Sequence, residues 1–424
     1  MSTVLIVGNG GREHALGWKL SQSSYVKKTF FASGNGGTSE NISIAPNEIN
    51  KLLEFARKHR CFTVVGPEDP LSKGIVNAFN SNGLHIFGPR TEAAELETSK
   101  VWAKNFMKKY EIKTADFQTF SDVERAKDYI LRRDKQLVVK ANGIAAGKGV
   151  IVCSSKEETF NALERIMVRK QLGDAGESVV IEDRLEGEEA SFIAMTDGKT
   201  IIPLASSQDH KRIYDGDTGP NTGGMGAYSP TPLINEKLHE KIMRNIMQKT
   251  VYGMNSEHRR FKGFLYAGVM IQDGEPYVLE FNVRMGDPEC QPIMLRMDSD
   301  LYQYMEYCVE EKLDELEAMR WSSTSAVCVV MASKGYPGSY ERRKSIAGLN
   351  RIVSNTVSVF HAGTKRIDGK IVTNGGRVLG VSAVGDGIEN AIKNAYNAVS
   401  KISWDGAYYR TDIGKKALMY LAKI

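Results

Sequence analysis

The sequence predicts a multidomain α/β and α+β fold that opens with a doubly wound parallel sheet. Its 424 residues exceed what one hydrophobic core usually organises, which indicates several packed units. The first hundred residues alternate short apolar runs with helical patterns, the order expected of parallel strands joined by helices. After about residue 325 a new set of strands begins, which predicts a small α+β unit at the end of the chain.

Four apolar runs predict the N-terminal sheet: TVLIVG, KTFFAS, FTVVGP and LHIFGP. Helical patterns separate them over residues 13–21, 49–59 and 73–81. Continuous apolar runs are typical of parallel strands that are buried on both faces. We therefore expect residues 1–100 to form one doubly wound domain.

A second unit is expected over residues 101–320, after a helix at 98–110. QLVVKANGIAAGKGVIVC and SVVIEDRLEGEEASFIAM each predict two strands, in a subdomain of about residues 121–190. Residues 203–232 are rich in Gly, Pro, Asp and Thr and are expected to be irregular, which in so long a loop indicates function or disorder. The helix NEKLHEKIMRNIMQKTV, a hairpin and the helix LYQYMEYCVEEKL follow. A third unit, 325–424, is predicted from SAVCVVMAS, VSVFHAG, RVLGVSAVG and a helix at 388–400.

Composition narrows the class of protein. No apolar stretch approaches the roughly 20 residues of a membrane span, and MSTVLIVGNGG enters a strand directly, so we expect a cytoplasmic protein without a membrane partner. The five cysteines are scattered and form no C-x-x-C pair, which argues against a disulfide framework or a zinc site. The net charge of +5 is small and no basic run is interleaved with aromatic residues, so no nucleic-acid partner is expected.

The first motif is the glycine-rich turn that starts at Gly8 after the strand TVLIVG and continues as NGGREH. Such a turn lets backbone N–H groups approach a phosphate at a helix N-terminus. A nicotinamide site would need an acid after the second strand, where this chain has Ser33 and Gly34. A phosphorylated small ligand is favoured, and a merely tight strand-to-helix turn is the alternative.

The second motif is LVVKANGIAAGKGVIV, in which Lys140 ends an apolar strand before Gly143, Gly147, Lys148 and Gly149. A buried ammonium needs an anion, and a mobile glycine loop can fold its N–H groups over terminal phosphates. The spacing is not that of a P-loop, because the lysine precedes the loop. The alternative is a flexible hairpin with two solvated lysines.

Two further strands carry acids. VVIEDRLEGEE ends a strand at Glu182 and continues through Leu185, a segment whose backbone suits an adenine edge, with Glu189 placed for ribose hydroxyls; an acidic surface strand is the alternative. In the hairpin GFLYAGVMIQDGEPYVLEFN, period two puts Glu280 and Asn282 on one face, with Leu279 and Phe281 in the core. A carboxylate beside an amide oxygen suits Mg²⁺, against the alternative of a surface pair.

The loop that contains Asp209 and Lys211 and continues through DTGPNTGGMG is the last candidate. Its glycines and prolines suit a close backbone approach, and its charges suit a zwitterion or a phosphate. A disordered surface loop is the alternative reading of the same composition.

In this order, a phosphate lysine, a glycine flap, a hinge strand and a metal hairpin resemble the ATP-grasp superfamily. NGGREHAL, VGPEDPL, KANGIAAGKGVIV, SQDHKR, DTGPNTGGMGAYSP and RMGDPE, with FHAGTK and TNGGRVLGVSA near the end, resemble more narrowly the phosphoribosylamine–glycine ligases, also called glycinamide ribonucleotide synthetases. The resemblance implies an N-terminal doubly wound domain on the substrate side, a central two-part ATP-grasp and a small C-terminal α+β domain. It implies a carbon–nitrogen ligase of purine biosynthesis that joins glycine to 5-phosphoribosylamine with ATP and Mg²⁺ or Mn²⁺, and we expect a monomer with at most weak self-association.

The resemblance also implies roles for individual residues. ATP would contact Lys100, Lys140, Gly143, Gly147, Lys148, Gly149, Glu182, Asp183, Leu185 and Glu189, and the metal Glu280 and Asn282. Glycine and the phosphoribosylamine would contact Gly11, Asn35, Gly37, Thr38, Pro67, Glu68, Asp209, Lys211, Asp217, Thr218, Gly219, Pro220, Asn221, Gly223, Gly224, Arg284 and Asp287. Arg284 would contact the transition state, and no residue is expected to act as a general base.

The sequence departs from the family pattern in two places, and three alternative functions stay open. The strand FLYAGVMI carries no acid, so a third protein ligand to the metal is not predicted. The flap has Asn142 where an Asp is common in the family. The rivals are another ATP-grasp carboxylase or formyl transferase of the purine pathway, a nucleotide sensor that has lost its chemistry, and a dehydrogenase.

Overall fold

The computed structural model describes residues 1–144 and 149–422. The N-terminal part contains β1 (Ser2–Gly8), α1 (Gly11–Leu20), β2 (Val26–Ser33), β3 (Asn41–Ile42), α2 (Ile49–His59), β4 (Cys61–Val65), α3 (Glu68–Ser72), α4 (Ile75–Ser81) and β5 (Ile86–Phe87). These strands form a parallel sheet in the order β3-β2-β1-β4-β5. The predicted parallel N-terminal sheet is confirmed.

The central strand β1 shows why its sequence is apolar without alternation. Val4 and Ile6 pack into one hydrophobic core, whereas Leu5 and Val7 pack into another, and all four are fully buried. Because successive side chains of a strand point to opposite faces, β1 is covered on both sides, as the parallel arrangement requires.

The next part forms a small antiparallel sheet with its own core. It contains α5 (Thr91–Thr98), α6 (Lys100–Lys109), β6 (Phe117–Phe120), α7 (Val123–Arg132), β7 (Leu137–Ala141), β8 (Val150–Val152), α8 (Lys156–Leu163) and β9 (Val179–Asp183). The strand order is β6-β9-β7-β8. Ile130, Val139 and Ile181 belong to a core that is separate from the other clusters.

The following part supplies a second antiparallel sheet. It contains β10 (Glu188–Thr196), β11 (Ile201–Pro203), β12 (Gln208–Asp209), β13 (Arg212–Tyr214), β14 (Thr218–Asn221), β15 (Gly226–Ser229), α9 (Glu236–Ile242), α10 (Gln248–Ser256), β16 (Gly263–Gln272), β17 (Glu275–Asn282), α11 (Cys290–Arg296) and α12 (Leu301–Val309). The sheet order is β11-β10-β16-β17. Asp273 and Gly274 both have positive φ, at 52° and 72°, and make the tight turn predicted between β16 and β17.

The predicted inward direction of Leu279 is wrong. A bulge shifts the β16–β17 register, so that Gly268 pairs with Glu280 while Val269 pairs with Val278. Val278 and Phe281 are therefore buried, whereas Leu279 is only partly buried and lines a cavity. A bulge adds one residue to a strand and breaks its alternation, a feature that period two does not anticipate.

The last part contains β18 (Ser325–Ser333), β19 (Val357–His361), β20 (Thr364–Ile367), β21 (Lys370–Thr373), β22 (Arg377–Gly385), α13 (Gly387–Val399), β23 (Ala407–Tyr408) and α14 (Lys415–Leu421). Its sheet has the order β12-β15-β18-β22-β19, with β23 also paired to β18. The expectation that residues 203–232 are irregular is wrong, because β12 to β15 lie there and two of these strands complete the C-terminal sheet. The sheet thus crosses the boundary expected near residue 325. Within the two described ranges, no helix is both long and apolar enough to cross a bilayer.

Candidate active site

A cavity of about 1180 Å³ lies where the N-terminal part, the two antiparallel sheets and the C-terminal part meet. Pro67 and Glu68 reach it from the N-terminal part, Lys140 from the first antiparallel sheet, Glu280 from the second, and Arg377 from the C-terminal part. Each of these residues lies in or shortly after a strand, and Arg377 begins β22, so the sheets fix the positions of the charged groups.

Arg284 is held between two carboxylates at one wall of the cavity. Its Nε donates to Glu68 Oε2 at 3.1 Å, and its Nη2 lies 2.9 Å from Glu97 Oε1. Glu97 also accepts the Val283 N–H at 2.7 Å. Burial would raise the pKa of Glu68, but Arg284 and Arg12 outweigh it and lower the pKa to about 2. For Glu97 burial dominates over Arg284 and raises the pKa to about 7.

Lys140 already has an anionic partner within the protein. Its Nζ lies 2.5 Å from Glu182 Oε1 and donates to the Leu279 carbonyl at 2.9 Å. The other carboxylate oxygen of Glu182 pairs with Lys104, and all three side chains are buried. The requirement of Lys140 for an anion is therefore met by Glu182, so burial of this lysine does not by itself demand a phosphate.

Lys100, the first residue of α6, contacts the start of the glycine loop. Its Nζ donates to the Gly143 carbonyl at 2.9 Å. Asn142 Oδ1 accepts the Val101 N–H at 3.2 Å, which ties the loop to the first turn of α6. Gly147 and Lys148, two residues of the expected flap, lie outside the described residues.

Glu280 and Asn282 both face the cavity from the end of β17. Within residues 1–144 and 149–422, neither side chain has a hydrogen bond or an ion pair to another protein atom. Burial alone would raise the pKa of Glu280, yet this pKa is lowered because cations surround the carboxylate. These cations are Lys211, Lys100, Lys140 and Arg284. An ionised carboxylate and an amide oxygen without protein partners fit a hard divalent cation.

A second group of acids lies beside Lys211. The Lys211 Nζ is 2.8 Å from Glu189 Oε2. Burial opposes its charge, but Glu189 and Asp209 raise the pKa of Lys211 well above its usual value. Burial, followed by the charge of Glu289, raises the pKa of Asp209. Glu289 Oε1 accepts from Ser191 Oγ at 2.9 Å and from Tyr266 OH at 2.5 Å.

Two arginines from the C-terminal part hold the loop that contains β13 and β14. Arg377 Nη1 donates to the Gly223 carbonyl at 2.6 Å and to the Asp287 carbonyl at 2.5 Å. Arg410, which is fully buried, donates to Asp217 Oδ1 at 2.9 Å. Gly224 needs its small size here, because a Cβ would come within 2.4 Å of the ring of Pro288 and its φ is +111°. The loop is therefore held by contacts at Asp217, Gly223 and Gly224, while residues 214–216 and 218–220 are exposed.

The structure brings most of the predicted site residues together. Those that line the cavity are Pro67, Glu68, Lys100, Lys140, Gly143, Gly149, Glu182, Leu185, Glu189, Asp209, Lys211, Asp217, Asn221, Gly223, Glu280, Asn282, Arg284 and Asp287. The described ones that do not line it are Gly11, Asn35, Gly37, Thr38, Asp183, Thr218, Gly219, Pro220 and Gly224. Asp183 instead pairs with Arg133 and Lys135 on the outer side of β9.

The loop that follows β2 in the N-terminal part makes its contacts away from this cavity. Asn35 Nδ2 donates to the His361 carbonyl at 2.7 Å, which joins the loop after β2 to β19. Gly37 and Thr38 border a separate cavity of about 400 Å³ beside His14. The structure thus gives Asn35 and Gly37 contacts to His361 in the C-terminal part, whereas Thr38 bonds to Asn35 and Asn41 within its own loop. The expected role of these three residues toward the sugar phosphate stays a prediction.

Sequence reasoning missed several charged residues of the site: Arg12, Glu97, Lys104, Arg377 and Lys416. Arg12 and Arg377 fall within quoted motifs, so the motifs themselves contained the signal. Glu97 and Lys104 lie in α5 and α6 among other charged residues, where nothing in the helical pattern distinguishes them from surface positions.

Three family models cover almost the whole chain. The model described as phosphoribosylglycinamide synthetase, N domain, matches residues 2–97, the ATP-grasp (A) domain matches 98–290, and the C domain matches 326–416. Phosphoribosylamine–glycine ligase of Neisseria meningitidis is 50% identical over 424 residues, which cover 98% of this chain and 99% of that protein. The ligase of Vibrio parahaemolyticus is 48% identical over 422 residues and 98% of each chain.

Solved structures agree with this fold. The crystal structure of phosphoribosylamine–glycine ligase from Thermotoga maritima has a TM-score of 0.85 and 36% identity, and the match covers 97% of this chain and 99% of that one. Biotin carboxylase from Campylobacter jejuni has a TM-score of 0.71 at 12% identity, covering 100% of this chain and 95% of that one, and shares the fold alone. From the three matched domains and the full-length relatives, the chain belongs to the phosphoribosylglycinamide synthetase family of ATP-grasp proteins.

Proposed function

We propose that this chain is a phosphoribosylamine–glycine ligase, a carbon–nitrogen ligase of purine biosynthesis. It converts ATP, glycine and 5-phosphoribosylamine into ADP, phosphate and glycinamide ribonucleotide. The observation that carries the proposal is the pair Glu280 and Asn282, whose side chains make no hydrogen bond or ion pair to residues 1–144 or 149–422. Three lysines and Arg284 surround the Glu280 carboxylate. Family membership supports the choice of substrates.

ATP occupies the part of the cavity between the two antiparallel sheets. Lys100 and Lys140 bind its phosphates, and Gly143, Gly147, Lys148 and Gly149 are further contacts of the nucleotide. The backbone from Glu182 through Asp183 to Leu185 borders the adenine, and Glu189 binds the ribose. The support for this assignment is that Lys100, Lys140, Leu185 and Glu189 line one continuous cavity.

Glu280 and Asn282 hold the Mg²⁺ or Mn²⁺ that accompanies the nucleotide. The lowered pKa of Glu280 keeps its carboxylate ionised, so it is a ligand throughout the neutral range. Among the residues that the structure describes, no group of three His, Cys, Asp or Glu side chains forms a metal site. Two protein ligands suit Mg²⁺, which usually takes its other oxygens from phosphates and water. When bound, the ion neutralises phosphate charge.

Glycine and phosphoribosylamine bind on the side of Arg284, which contacts the reacting groups. Asp209, Lys211, Asp217, Asn221, Gly223 and Asp287 surround this end of the cavity, with Pro67 and Glu68 on the N-terminal side. Thr218, Gly219, Pro220 and Gly224 belong to the same loop as Asp217 and Gly223, and Gly11, Asn35, Gly37 and Thr38 serve the sugar-phosphate side of the N-terminal part. The mixture of acids with one lysine suits a zwitterion whose ammonium and carboxylate need opposite partners.

The reaction proceeds in two steps. A carboxylate oxygen of glycine attacks the γ-phosphorus of ATP, and the bond to the ADP oxygen breaks. The amine of phosphoribosylamine then attacks the carbonyl carbon of glycyl phosphate, the C–O bond to phosphate breaks, and the amine loses a proton. Positioning and charge neutralisation carry such phosphoryl transfers, so no residue is assigned as a general base.

The proposal includes a cytoplasmic protein that acts on small molecules without nucleic acid or membrane, and a monomer with at most weak self-association. A nucleotide sensor without chemistry would have lost Lys140, Glu280 or Asn282, and all three are present. Another purine-pathway ATP-grasp enzyme would lack DTGPNTGGMG together with RMGDPE, and both are present.

The test of the two-step reaction follows the oxygens of glycine. Glycine labelled with ¹⁸O in its carboxylate is incubated with the enzyme, ATP, Mg²⁺ and phosphoribosylamine, and the released phosphate is analysed by mass spectrometry. One labelled oxygen in phosphate is expected for every molecule of amide formed. Amide formation with unlabelled phosphate would overturn the acyl-phosphate route.

A further inference from the structure

A buried cluster of two lysines and one glutamate lies between the two antiparallel sheets. Glu182, on β9, uses one carboxylate oxygen for Lys140 at 2.5 Å and the other for Lys104 on α6. The three side chains are only 2–5% exposed. Since one carboxylate faces two ammonium groups, the cluster carries a net charge of about +1 in a site of low dielectric.

Lys104 is also held by contacts other than the one to Glu182. Its Nζ also contacts Thr114 Oγ1 at 2.5 Å, and Thr114 donates onward to the Val278 carbonyl at 2.6 Å. Its ammonium lies 5.5 Å from the centre of the Phe117 ring. Lys104 is thus tied to Glu182 on one side and, through Thr114, to β17 on the other.

Within residues 1–144 and 149–422, Lys140 uses two of its three N–H donors. One faces Glu182 and the other the Leu279 carbonyl, and the third is the donor for a ligand. Without Lys104, Lys140 and Glu182 would form a neutral ion pair with little attraction for an anion. With Lys104 present, Glu182 is shared and the pair retains positive charge on the side of the cavity.

We propose that Lys104 is a positioning residue that acts through Glu182 and Lys140, giving the buried cluster the net positive charge with which Lys140 binds the phosphates of the nucleotide. This inference rests on the proposed function, because it takes Lys140 to be a phosphate contact. Lys104 itself does not touch the phosphates. Its contribution is to leave Lys140 with charge that Glu182 would otherwise neutralise.

The electrostatics of Lys104 agree with this role. Burial, together with repulsion from Lys140, lowers the pKa of Lys104 to about 8 although Glu182 attracts its charge. The second positive charge in the cluster is therefore held at a cost that an anionic ligand in the cavity would relieve. A purely structural ion pair would need only one lysine for one carboxylate.

The experiment measures binding of ADP and of adenosine, without glycine or phosphoribosylamine, to the full-length protein by calorimetry. Lys104→Met should weaken ADP binding by about tenfold or more, as loss of a unit charge a few ångströms from the site implies, and change adenosine binding by less than about twofold. Lys104→Arg should keep ADP binding within about threefold of the parent, since the charge is retained. Lys109→Met, an exposed lysine on the same helix that pairs with Glu257, is the matched control and should change neither ligand.

A double variant tests the charge argument itself. Lys104→Met with Glu182→Gln restores the net charge of about +1 on Lys140, so ADP should bind more tightly than to Lys104→Met alone. This variant leaves no unpaired carboxylate, and its ADP binding is also compared with that of the parent. If the single variant does not fold, a loss of about tenfold or more in the double variant relative to the parent would overturn the inference. Equal losses for ADP and adenosine in Lys104→Met, or a double variant no better than the single one, would overturn the inference. Such a result would leave glycine-dependent turnover of the parent intact, whereas failure of the proposed function would remove that turnover.

Discussion

Replacement of Glu280 by Gln is the most informative single change at the metal site. The substitution preserves shape and removes one negative charge from among Lys211, Lys100, Lys140 and Arg284. No other described protein atom loses a hydrogen bond or an ion pair, because the Glu280 carboxylate makes none. We therefore expect the variant to fold, with a thermal unfolding midpoint moderately below that of the parent, because the lowered pKa of Glu280 means that the cations stabilise its charge in the folded state.

The expected loss of activity is much larger than the loss of stability. Removal of one electrostatic contact that acts in the transition state typically costs about 3 kcal/mol, which lowers turnover by about 10². The assay is steady-state ADP formation over a series of Mg²⁺ concentrations, because a weakened site needs more metal.

The matched control is Glu275→Gln, at the other end of β17. Glu275 lies 2.8 Å from Lys113 and also pairs with Lys241, away from the cavity. We expect this variant to turn over within about twofold of the parent, as surface ion pairs contribute little. Activity of Glu280→Gln within about threefold of the parent at high Mg²⁺ would refute the reasoning, since a lost ligand predicts about 10².

Three further predictions concern the contacts around the site. Burial lowers the pKa of His14 to about 4, below the 6.5 of the unfolded chain, and neutral His14 Nδ1 accepts the His361 N–H at 2.9 Å. Its contribution to stability is present above pH 6.5 and is lost as the pH falls towards 4, so His14→Asn should make the thermal midpoint less dependent on pH in that window; an unchanged slope would contradict this. Arg410→Met removes a fully buried guanidinium bonded to Asp217 and Asp412, and it should lower the free energy of unfolding in urea by about 3–5 kcal/mol. The exposed control Lys415→Met should leave it unchanged. Equal urea midpoints for the two variants would contradict this prediction. In Arg284→Lys the new ammonium cannot pair with both Glu68 and Glu97 as the planar guanidinium does, so kcat/KM should fall about tenfold or more. A kcat/KM equal to that of the parent would show that this pairing is not needed for activity.

The sequence predicted the strands of the N-terminal sheet and the β16–β17 hairpin because their apolar periodicity and the Asp273-Gly274 turn are local signals. It also put Glu280 and Asn282 on one face of the hairpin, and both line the cavity. The prediction that Leu279 points into the core was wrong. The bulge in β17 that turns Leu279 outward depends on pairing with β16 rather than on the local sequence.

Other features of the site depend on contacts between distant segments. β15 joins β18 across about a hundred residues, and its Gly-rich sequence lacks the alternation of a strand. The pairing of Lys140 and Lys104 with Glu182 follows from the order β6-β9-β7-β8 and the position of α6, which no local pattern specifies. Arg410 reaches the loop that contains β13 and β14 from the C-terminal part in the same way, and only the folded structure reveals this contact.

The central claim is that one cavity couples ATP cleavage to the joining of glycine and phosphoribosylamine. The most direct measurement is ADP release, together with amide formation, for each amino acid offered in turn, with and without phosphoribosylamine. We expect sustained ADP release only with glycine and phosphoribosylamine together, one amide for each ADP, and alanine to be a poor substitute. Equal turnover with several amino acids, or no ADP release with glycine and phosphoribosylamine, would contradict the assignment.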